Sequence, residues 1–579
     1  MEAKRADAIK VPKLVVPKRA SVNKSFLVHT ENIDSGTVLY ADKMWPVGQI
    51  GADGSATIRL TVSGERTIDI KYNDEWLSGR ICVQKSSASE VTNIIVMQYS
   101  NMGDNDWSQL RKIGINEIKL MTFIRIVNGS WQKKESRHLT HYIRSVLDYG
   151  CLQVISPFSG KATNSISSHI ISENLVAYEF LDCYRWYLIS SSIGTGFAFG
   201  VIWIPTYNII INTIDTPWNV QKEVVRTFEK LRKSREVASG VKWGASKREN
   251  ARPVAVIGHD NYAHHLLNEL QGLETIIKES RLNCLKALII RYEPFGPLED
   301  IFPELSSLKL IREQEWGRIS ESNEHVVNIG SEFISTSLRR RLLTYAMSIT
   351  PKAMVCEWEE IRSKRFPIIW ISVRSKNRTA INLEEFTVRL VDRLNKLFPR
   401  IAVVIDGFSY PNDFNVDSRY KRCKGLFEER CANDMQVAKR ICEYLEKAVP
   451  SVPVYCCVGL RVTESIFLAS LCDFYIAHHG TVQHKIGWTA NKPGIVHSNS
   501  AVLNSRNTHL WVTKVVEDSA EVVYLPSKYV IDMDSQSFAD ARSASLRTGN
   551  YQFVDIAGAV EFISDIVRTR IAHGSGARI

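Results

Sequence analysis

The chain has 579 residues, of which 44% are hydrophobic and 23% charged, a composition typical of a soluble globular protein with several domains. Its formal net charge of +11 and isoelectric point near 9.0 favour anionic partners, such as nucleotide-sugar diphosphates, nucleic acid or an anionic membrane surface. The positive charge is spread without an arginine-rich block or an aromatic-basic repeat, so we expect no dedicated nucleic-acid binding.

The cysteines and the apolar segments indicate the compartment. Eleven cysteines are scattered without a Cys-x-x-Cys pair, which predicts reduced thiols and no zinc site. The first residues lack the apolar stretch of a signal peptide, so we expect a cytoplasmic protein, with peripheral attachment to a membrane left open. Residues 188–214 carry no charge, but Gly200 and Pro205 interrupt them, which favours strands over a membrane-spanning helix.

The N-terminal part shows β patterns. Residues 1–24 are basic and contain two prolines, which predicts a flexible arm. Residues 25–90 are interpreted as a small β-sandwich, in which alternating apolar residues at 57–62 and 67–72 predict a hairpin around Gly64. A carbohydrate-binding role and a plain packing role both remain open for this domain.

A mixed region follows. Residues 91–235 are predicted to be β-rich, with a helix over 139–147 and strands over 176–214. Lysine, arginine and glutamate then dominate 222–252, which indicates a charged and partly helical linker. Tryptophans are frequent between residues 107 and 218, but tryptophan is more often a core residue than a sugar ligand, so they define no site.

From residue 250 strands and helices alternate, which predicts an α/β fold with parallel strands and crossover helices. We expect two Rossmann-like lobes, at 250–360 and 361–545, and a C-terminal helix within 546–579. In the first lobe the apolar run 254–258 predicts a strand, and a helix with an apolar stripe follows it. The stripe consists of Leu266, Leu270, Leu273 and Ile277.

Three histidines, His259, His264 and His265, lie within seven residues where this strand passes into the helix. Backbone N–H groups and the helix dipole favour anions at a helix N-terminus, so this cluster is a candidate site, although surface histidines would also explain it. Asp260 or Asn261 can cap the helix, and helical spacing places His265 and Glu269 on one face.

In the second lobe the apolar strand 368–373 ends at Arg374, and the strand 474–477 ends at His478, His479 and Gly480. Ligands of parallel sheets bind beyond the carboxyl ends of the strands, where Asp406 is also expected. Asn382 and Glu385 have the spacing of a capping box at the start of the next helix.

Three separated motifs in this part of the chain resemble glycosyltransferase family 61. The resemblance covers about 253–500. It departs from the family pattern at two places. After the first helix the family has Leu-Pro-Arg, whereas Gln271-Gly272 follows Leu270 here. After the His-Gly loop the family continues to an Asn, which residues 481–485 lack. The matching residues are Asn261-Tyr262-Ala263-His264 with Leu266, Leu267 and Leu270; Arg374, Arg378, Asn382 and Glu385; and Ala477-His478-His479-Gly480.

The resemblance implies a GT-B-like pair of Rossmann lobes, preceded here by the N-terminal β-rich domain, and a metal-independent inverting glycosyltransferase with no cofactor besides the nucleotide-sugar substrate. An inverting transfer needs a base and a positive charge at the departing diphosphate. The expected catalytic residues are His264, with Asp260, His265 and Glu269 as substitutes; the expected donor-binding residues are Arg374, Arg378, His479, Gly480, Lys485 and Asn382; Asn261 and Tyr262 are expected in the acceptor cleft; and no metal ligand is assigned.

The expected partners are a nucleotide-sugar donor, a glycan or lipid-linked acceptor, and an anionic membrane surface as an open possibility. Two alternatives remain. A noncatalytic carbohydrate-binding or scaffold protein of the same fold would explain the departures near Gln271 and Lys485. A basic nucleic-acid-binding protein would show a steep dependence of affinity on salt.

Overall fold

The structure is a computed structural model. Its core comprises two α/β lobes within 252–533, described with a few gaps. The described residues are 13–15, 19–21, 25–31, 38–41, 45–49, 55–59, 64–72, 75–84, 95–132, 139–172, 175–190, 199–204, 207, 209–213, 252–312, 325–414, 420–421, 423–533 and 549–574. The predicted charged linker lies outside these residues, except for Arg252.

Contacts divide the chain into two units. One contains Met1–Met102, Ile202–Asn212 and Asn219–Gly244. Its described segments between residues 13 and 84 are strands, and these pair into sheets of order β1-β3-β6 and β2-β8-β7-β4-β5 once numbered along the chain. The strands are β1 Lys13–Val15, β2 Arg19–Ser21, β3 Ser25–Glu31, β4 Val38–Ala41, β5 Trp45–Gln49, β6 Ser55–Arg59, β7 Gly64–Tyr72, β8 Glu75–Gln84 and β9 Ile95–Gln98.

Two predictions for this unit are wrong. β6 pairs with β3, whereas β7 pairs with β8 in the other sheet, so the hairpin predicted around Gly64 does not form. Alternation identifies a strand but not its partner, which depends on the rest of the sheet. Residues 13–15 and 19–21, assigned to a flexible arm, form β1 and β2 and pair with β3 and β8.

The other unit contains Gly103–Val201, Thr213–Trp218 and Ala245–Ile579. The helix predicted over 139–147 is present as His141–Tyr149, and residues 188–214 contain strands where they are described. No described helix is both long and apolar enough to cross a membrane. Its elements before the lobes are α1 Asp104–Lys112, α2 Glu117–Gln132, α3 His141–Tyr149, β10 Gln153–Ile155, β11 Ala162–Asn164, β12 Ser167–Ser172, β13 Leu175–Leu181 and β14 Arg185–Ser190. Strand β15 Phe199–Ile204 begins in this unit and ends in the first, which also contains β16 Ile209–Asn212.

The first lobe is built on a four-stranded parallel sheet, in the order β19-β18-β17-β20. Its strands are short and apolar because helices cover both faces of such a sheet. The elements are β17 Val254–Ile257, α4 Tyr262–His265, a π-helical segment Leu266–Leu270, α5 Gln271–Lys278, β18 Ala287–Ile290, α6 Leu298–Ile301, β19 Lys309–Arg312, β20 Val326–Asn328, α7 Thr336–Ile349 and α8 Lys352–Lys364.

Side chains from residues 142–178 form hydrogen bonds with the outer edge of β20. Ser168 Oγ accepts from Val326 N at 2.6 Å, and Tyr178 OH donates to Val326 O at 2.5 Å. Tyr142 OH accepts from Asn328 N at 3.0 Å. These hydroxyl groups satisfy backbone groups that another strand would otherwise pair with.

The second lobe is built on a six-stranded parallel sheet, in the order β23-β22-β21-β24-β25-β26. Counted within the lobe, this order is 3-2-1-4-5-6, the order of a Rossmann fold, and the predicted alternation of strands and helices is confirmed in both lobes. The elements are β21 Ile368–Ser372, α9 Leu383–Leu397, β22 Ala402–Asp406, α10 Lys424–Ala448, β23 Val454–Cys456, α11 Val462–Leu471, β24 Phe474–His478, α12 Thr481–His484, a π-helical segment Lys485–Thr489, β25 Gly494–His497, α13 Ser500–Leu503, α14 Arg506–Lys514, β26 Val522–Tyr524, β27 Val530–Asp532, β28 Tyr551–Phe553 and α15 Ile556–Gly574.

Helix α9 shows both the strength and the limit of sequence patterns. Phe386, Leu390 and Leu394 are fully buried, as their spacing predicts. The predicted capping box is wrong, because the side chain of Asn382 makes no cap bond. Its amide instead forms two hydrogen bonds, each 2.9 Å long, with the backbone of Phe553.

Hydrogen bonds join the two lobes at several places. The side chain of Asn412, beyond β22, donates to Phe295 O at 2.8 Å and accepts from Thr463 Oγ1 at 2.8 Å. Elsewhere, Glu517 Oε2 accepts from Thr336 N at 2.8 Å, where α7 begins. These contacts fix the relative position of the two sheets.

Candidate functional site

The switch point of the second sheet lies between β21 and β24, where the strand order reverses. Arg374 follows β21, and His479 and Gly480 follow β24, so the two predicted strand ends are direct neighbours. Ligands of open parallel sheets bind in the crevice outside the carboxyl ends of the strands at such a point.

Gly480 brings two guanidinium groups together. Its φ angle is +120°, and a Cβ at this position would lie 2.8 Å from Arg374 Nη1 and 3.0 Å from Arg378 Nη2. The glycine therefore serves both the backbone conformation and the close approach of the guanidinium groups. Arg378 also has a positive φ of 55°, a conformation uncommon for a residue with a Cβ.

Both arginines are half-buried, and their charges repel. Burial, followed by the positive charge of Arg378, lowers the pKa of Arg374 to about 10. Burial also lowers the pKa of Arg378. Arg374 donates to the backbone carbonyls of Lys376, at 2.8 Å, and His479, at 3.3 Å. Two adjacent guanidinium groups of this kind favour an anion with several oxygen atoms.

Of the other two predicted donor-binding residues, His479 lies at the sheet edge, whereas Asn382 is used in packing. His479 is half-buried, and its Nδ1 lies 3.2 Å from the hydroxyl of Tyr524 at the end of β26. His479 therefore belongs to the same sheet edge as the guanidinium pair. Asn382 is held by the backbone of Phe553, so its amide serves the packing of α9.

Lys485 is fully buried and does not reach the switch-point surface. Its ammonium lies 2.5 Å from Asp406 Oδ2 and donates to Gly407 O and Ser409 Oγ, each at 2.8 Å. Three acceptors occupy its three N–H groups. Burial raises the pKa of Asp406 to about 6, while the charge of Lys485 lowers it. The predicted phosphate contact of Lys485 is thus replaced by a structural ion pair.

The first lobe contributes Tyr262 to the same edge. Tyr262 is buried, and its hydroxyl donates to the carbonyl of Thr481, directly after Gly480. Burial, then the charge of Asp406, raises the pKa of Tyr262, and the charge of Arg374 lowers it. The start of α4 therefore lies beside the switch point of the second lobe.

His264 is the less buried member of the histidine pair on α4. Its ring is partly accessible and lies 5.1 Å from the ring of His259. Its Nδ1 lies 3.1 Å from Asn268 Oδ1. Burial, followed by the charge of His259, lowers the pKa of His264 to about 4, so the imidazole is neutral at pH 7.

His265 and Glu269 are buried on the other face of α4. Glu269 Oε2 lies 2.6 Å from His265 Nδ1 and accepts from the backbone N–H groups of Gly258 and His259 at 2.9 and 2.8 Å. Burial alone would raise the pKa of Glu269, but the hydrogen bond from His265 lowers it. This carboxylate fixes the loop after β17, and neither residue reaches the cleft as a substitute base.

Asp260 and Asn261 lie where α4 begins. Asn261 Oδ1 accepts from Ala263 N at 3.0 Å, which confirms it as the helix cap. Asp260 keeps a partly exposed carboxylate, 2.9 Å from His259 Nδ1. Burial would raise the pKa of Asp260, but the hydrogen bond with His259 lowers it.

Sequence reasoning missed two residues of the site. Asp434, on α10, accepts from Ser375 N at 2.8 Å and from Phe408 N at 2.9 Å, and so joins the loops after β21 and β22. His484 is buried and stacks on Trp488 with ring centroids 3.4 Å apart. Neither residue lies in a strand-end motif, so no local pattern indicates it.

No protein-family model matches the chain, and no curated protein matches it. The resemblance to glycosyltransferase family 61 therefore rests on its three motifs alone. Weak matches among solved structures include the UDP-GlcNAc 2-epimerase of Methanocaldococcus jannaschii, with 12% identity, a TM-score of 0.21, and coverage of 51% of this chain and 70% of that one.

Two further structures come from S. aureus. MnaA with UDP is 12% identical, with a TM-score of 0.22, and the match covers 58% of this chain and 75% of that one. A TarM mutant in complex with Fondaparinux, alpha-GlcNAc-glycerol and UDP is 11% identical, with a TM-score of 0.17, and the match covers 85% of this chain and 90% of that one. The description of the fold depends on the strand orders above and not on these low scores.

Proposed function

We propose that this protein transfers a sugar from a nucleotide-sugar donor to a hydroxyl group of a glycan or lipid-linked acceptor. The observation that carries the proposal is the pair of guanidinium groups that meet at Gly480, at the switch point of a Rossmann-type sheet. A diphosphate has the charge and the oxygen atoms that two such groups can hold together.

The proposed reaction is an inverting displacement at the anomeric carbon. His264 takes the proton of the acceptor hydroxyl, and the acceptor oxygen forms the new bond to carbon. The bond from that carbon to the phosphate oxygen breaks, and the nucleoside diphosphate leaves with the bonding electrons. Arg374 and Arg378 stabilise the charge that develops on the diphosphate.

Two features support His264 as the base. Its imidazole is neutral at pH 7, because its pKa is lowered to about 4. It also lies on the same helix turn as Tyr262, whose hydroxyl bonds to the residue after Gly480. The lowered pKa also makes the imidazole a weak base, so the assignment depends on the position of His264 and not on its basicity.

Nucleotide binding tests the proposal. Isothermal titration calorimetry with UDP, GDP, ADP and CDP should detect binding of at least one diphosphate, more tightly than its monophosphate. Arg374→Ala should weaken that binding roughly ten- to hundredfold, since a hydrogen bond to a charged group contributes about 1.5–3 kcal/mol. Arg568→Ala is the matched control, because Arg568 is an exposed arginine of α15.

Transfer separates the enzyme from a noncatalytic binder. Incubation of the wild type with nucleotide-sugars and a panel of glycan and lipid-linked acceptors should yield a free diphosphate and a glycosylated product. His264→Ala should keep the diphosphate affinity and lose transfer. Failure of every diphosphate to bind the wild type would refute the proposal, and binding without transfer by the wild type would favour a scaffold role.

A further inference from the structure

Asn268 is hydrogen-bonded to His264 in an orientation that its other contact fixes. Its Nδ2 donates to Ser331 O at 3.3 Å, and a carbonyl oxygen can only accept. The amide oxygen of Asn268 must therefore face His264 Nδ1, at 3.1 Å. The carbonyl of Ser331 therefore fixes the amide orientation of Asn268.

The contact selects one tautomer of the neutral imidazole. An amide oxygen accepts and cannot donate, so His264 Nδ1 must carry the proton in order to form the bond. The lone pair of the neutral ring then lies on Nε2. With the Nε2–H tautomer, two lone pairs would face each other across 3.1 Å, an arrangement that stabilises nothing.

The backbone holds Asn268 rigidly in this place. Asn268 is buried and lies in the π-helical segment Leu266–Leu270, and its carbonyl accepts from Ser331 N at 3.3 Å. In a π-helical turn the usual bond from residue i+4 is displaced, which leaves a carbonyl available for such a contact. Asn268 and Ser331 are therefore joined through both backbone and side chain.

Several charged or titratable groups surround His264. From its own lobe, His259 lowers the pKa of His264, while Asp260 and Glu269 raise it. From the second lobe, His484 interacts electrostatically with His264 and is itself held neutral, because burial lowers its pKa. None of these groups is hydrogen-bonded to His264 Nδ1 among the described contacts, so Asn268 is the group that selects the tautomer.

We infer that Asn268 is a positioning residue, which fixes His264 as the Nδ1–H tautomer so that Nε2 can accept the proton of the acceptor hydroxyl. The catalytic part of this inference rests on the proposed glycosyl transfer. The tautomer itself is a property of the ligand-free protein and can be measured without a substrate.

Nitrogen-15 NMR of histidine-labelled protein measures the tautomer directly, with His264→Gln used to assign the signals. At pH 7 the wild type should show a protonated Nδ1 and an unprotonated Nε2 at His264. Asn268→Leu removes the acceptor at nearly constant volume and should allow a mixture of both tautomers. A wild-type ring with its proton on Nε2 would overturn the inference, whatever the outcome of the nucleotide titrations.

Kinetics then tests the catalytic consequence. Asn268→Leu should lower kcat by about two- to tenfold with nucleotide affinity unchanged, because only the rings that still carry the proton on Nδ1 can act as the base. Asn268→Asp keeps an acceptor for Nδ1–H and adds a negative charge, which favours the imidazolium. It should retain most of kcat at high pH and move the acid limb of the kcat/KM profile upward by about one to three pH units.

Asn283→Asp is the matched control. Asn283 is exposed and precedes β18, at the end of the first sheet opposite to α4, so its variant should keep the wild-type profile. An unshifted profile in Asn268→Asp, or a kcat of Asn268→Leu equal to that of the wild type, would overturn the positioning role. If the wild type binds no nucleoside diphosphate, the proposed function is refuted, and the tautomer measurement remains valid.

Discussion

Glu332 follows β20 of the first lobe, in the loop that carries Ser331. Burial raises the pKa of this carboxyl group to about 7. In the unfolded chain a glutamate has a pKa near 4.3, so the folded protein binds the proton more tightly. The contribution of Glu332 to stability is therefore fully present below its unfolded pKa and is lost as the pH rises through its folded pKa.

We therefore expect Glu332→Gln to stabilise the protein at high pH only. At pH 8 the variant should gain about 1–3 kcal/mol, because it no longer holds a carboxylate in a poorly solvated place. At pH 4.5 both proteins should have the same stability. Thermal unfolding at both pH values checks this, with Glu446→Gln on the exposed face of α10 as control. An equal gain at both pH values would contradict it.

At the scale of residues, the sequence predicts the groups that directly follow a strand. Arg374 and His479 lie at the switch point because a buried strand precedes each of them. Asp434 cannot be found in this way, because its partner Ser375 is 59 residues away in the chain. Asn268 follows no strand, and the orientation of its amide depends on Ser331, 63 residues away. The residue type alone does not distinguish a residue that binds the ligand from one that positions such a residue.

At the scale of elements, the ion pair of Lys485 and Asp406 joins a π-helical segment to the end of β22. Removal of one partner of a buried pair leaves an uncompensated charge, which costs about 3–5 kcal/mol. Lys485→Met should therefore lower the free energy of unfolding by this amount. Chemical denaturation checks it, with Lys514→Met at the exposed end of α14 as control.

The double variant Lys485→Met with Asp406→Asn should recover part of the loss, because no charge is then buried. If Lys485→Met instead keeps wild-type stability and loses diphosphate binding, the structural role assigned to Lys485 is wrong and the phosphate contact stands.

Strands of the two lobes are predictable because a strand buried on both faces is a short apolar run. The choice of partner is not predictable in this way, as β6 and β7 demonstrate. The π-helical segments also escape prediction. Leu266 and Leu270 are both buried at a spacing of four, as an α-helix would have them, and the extra residue per turn depends on tertiary contacts.

At the scale of the whole molecule, Asn412 connects the lobes through one side chain. Its loss leaves Phe295 O and the hydroxyl of Thr463 without that partner. Asn412→Ala should cost about 1–3 kcal/mol, the usual cost of an unsatisfied buried polar group. Hydrogen–deuterium exchange should rise near Phe295 and Thr463 and stay unchanged in the strands of each sheet.

Asn395→Ala is the control, because Asn395 forms an exposed hydrogen bond to Ser451 within the second lobe. Faster exchange throughout both sheets in Asn412→Ala would contradict a local effect at Phe295 and Thr463. It would indicate that the two lobes unfold as one unit. The sequence predicts two lobes, but not this joint, since Asn412 lies in a loop without a strand or helix pattern.

The sealed edge of β20 bears on how copies of this protein meet in concentrated solution. A bare edge strand is a template on which a second chain can add its own strand, and such addition starts many aggregates. Here Tyr142, Ser168 and Tyr178 occupy that template from within the same chain. The region before the two lobes thus protects the first sheet against self-association, and an incoming strand would first have to displace three hydroxyl groups.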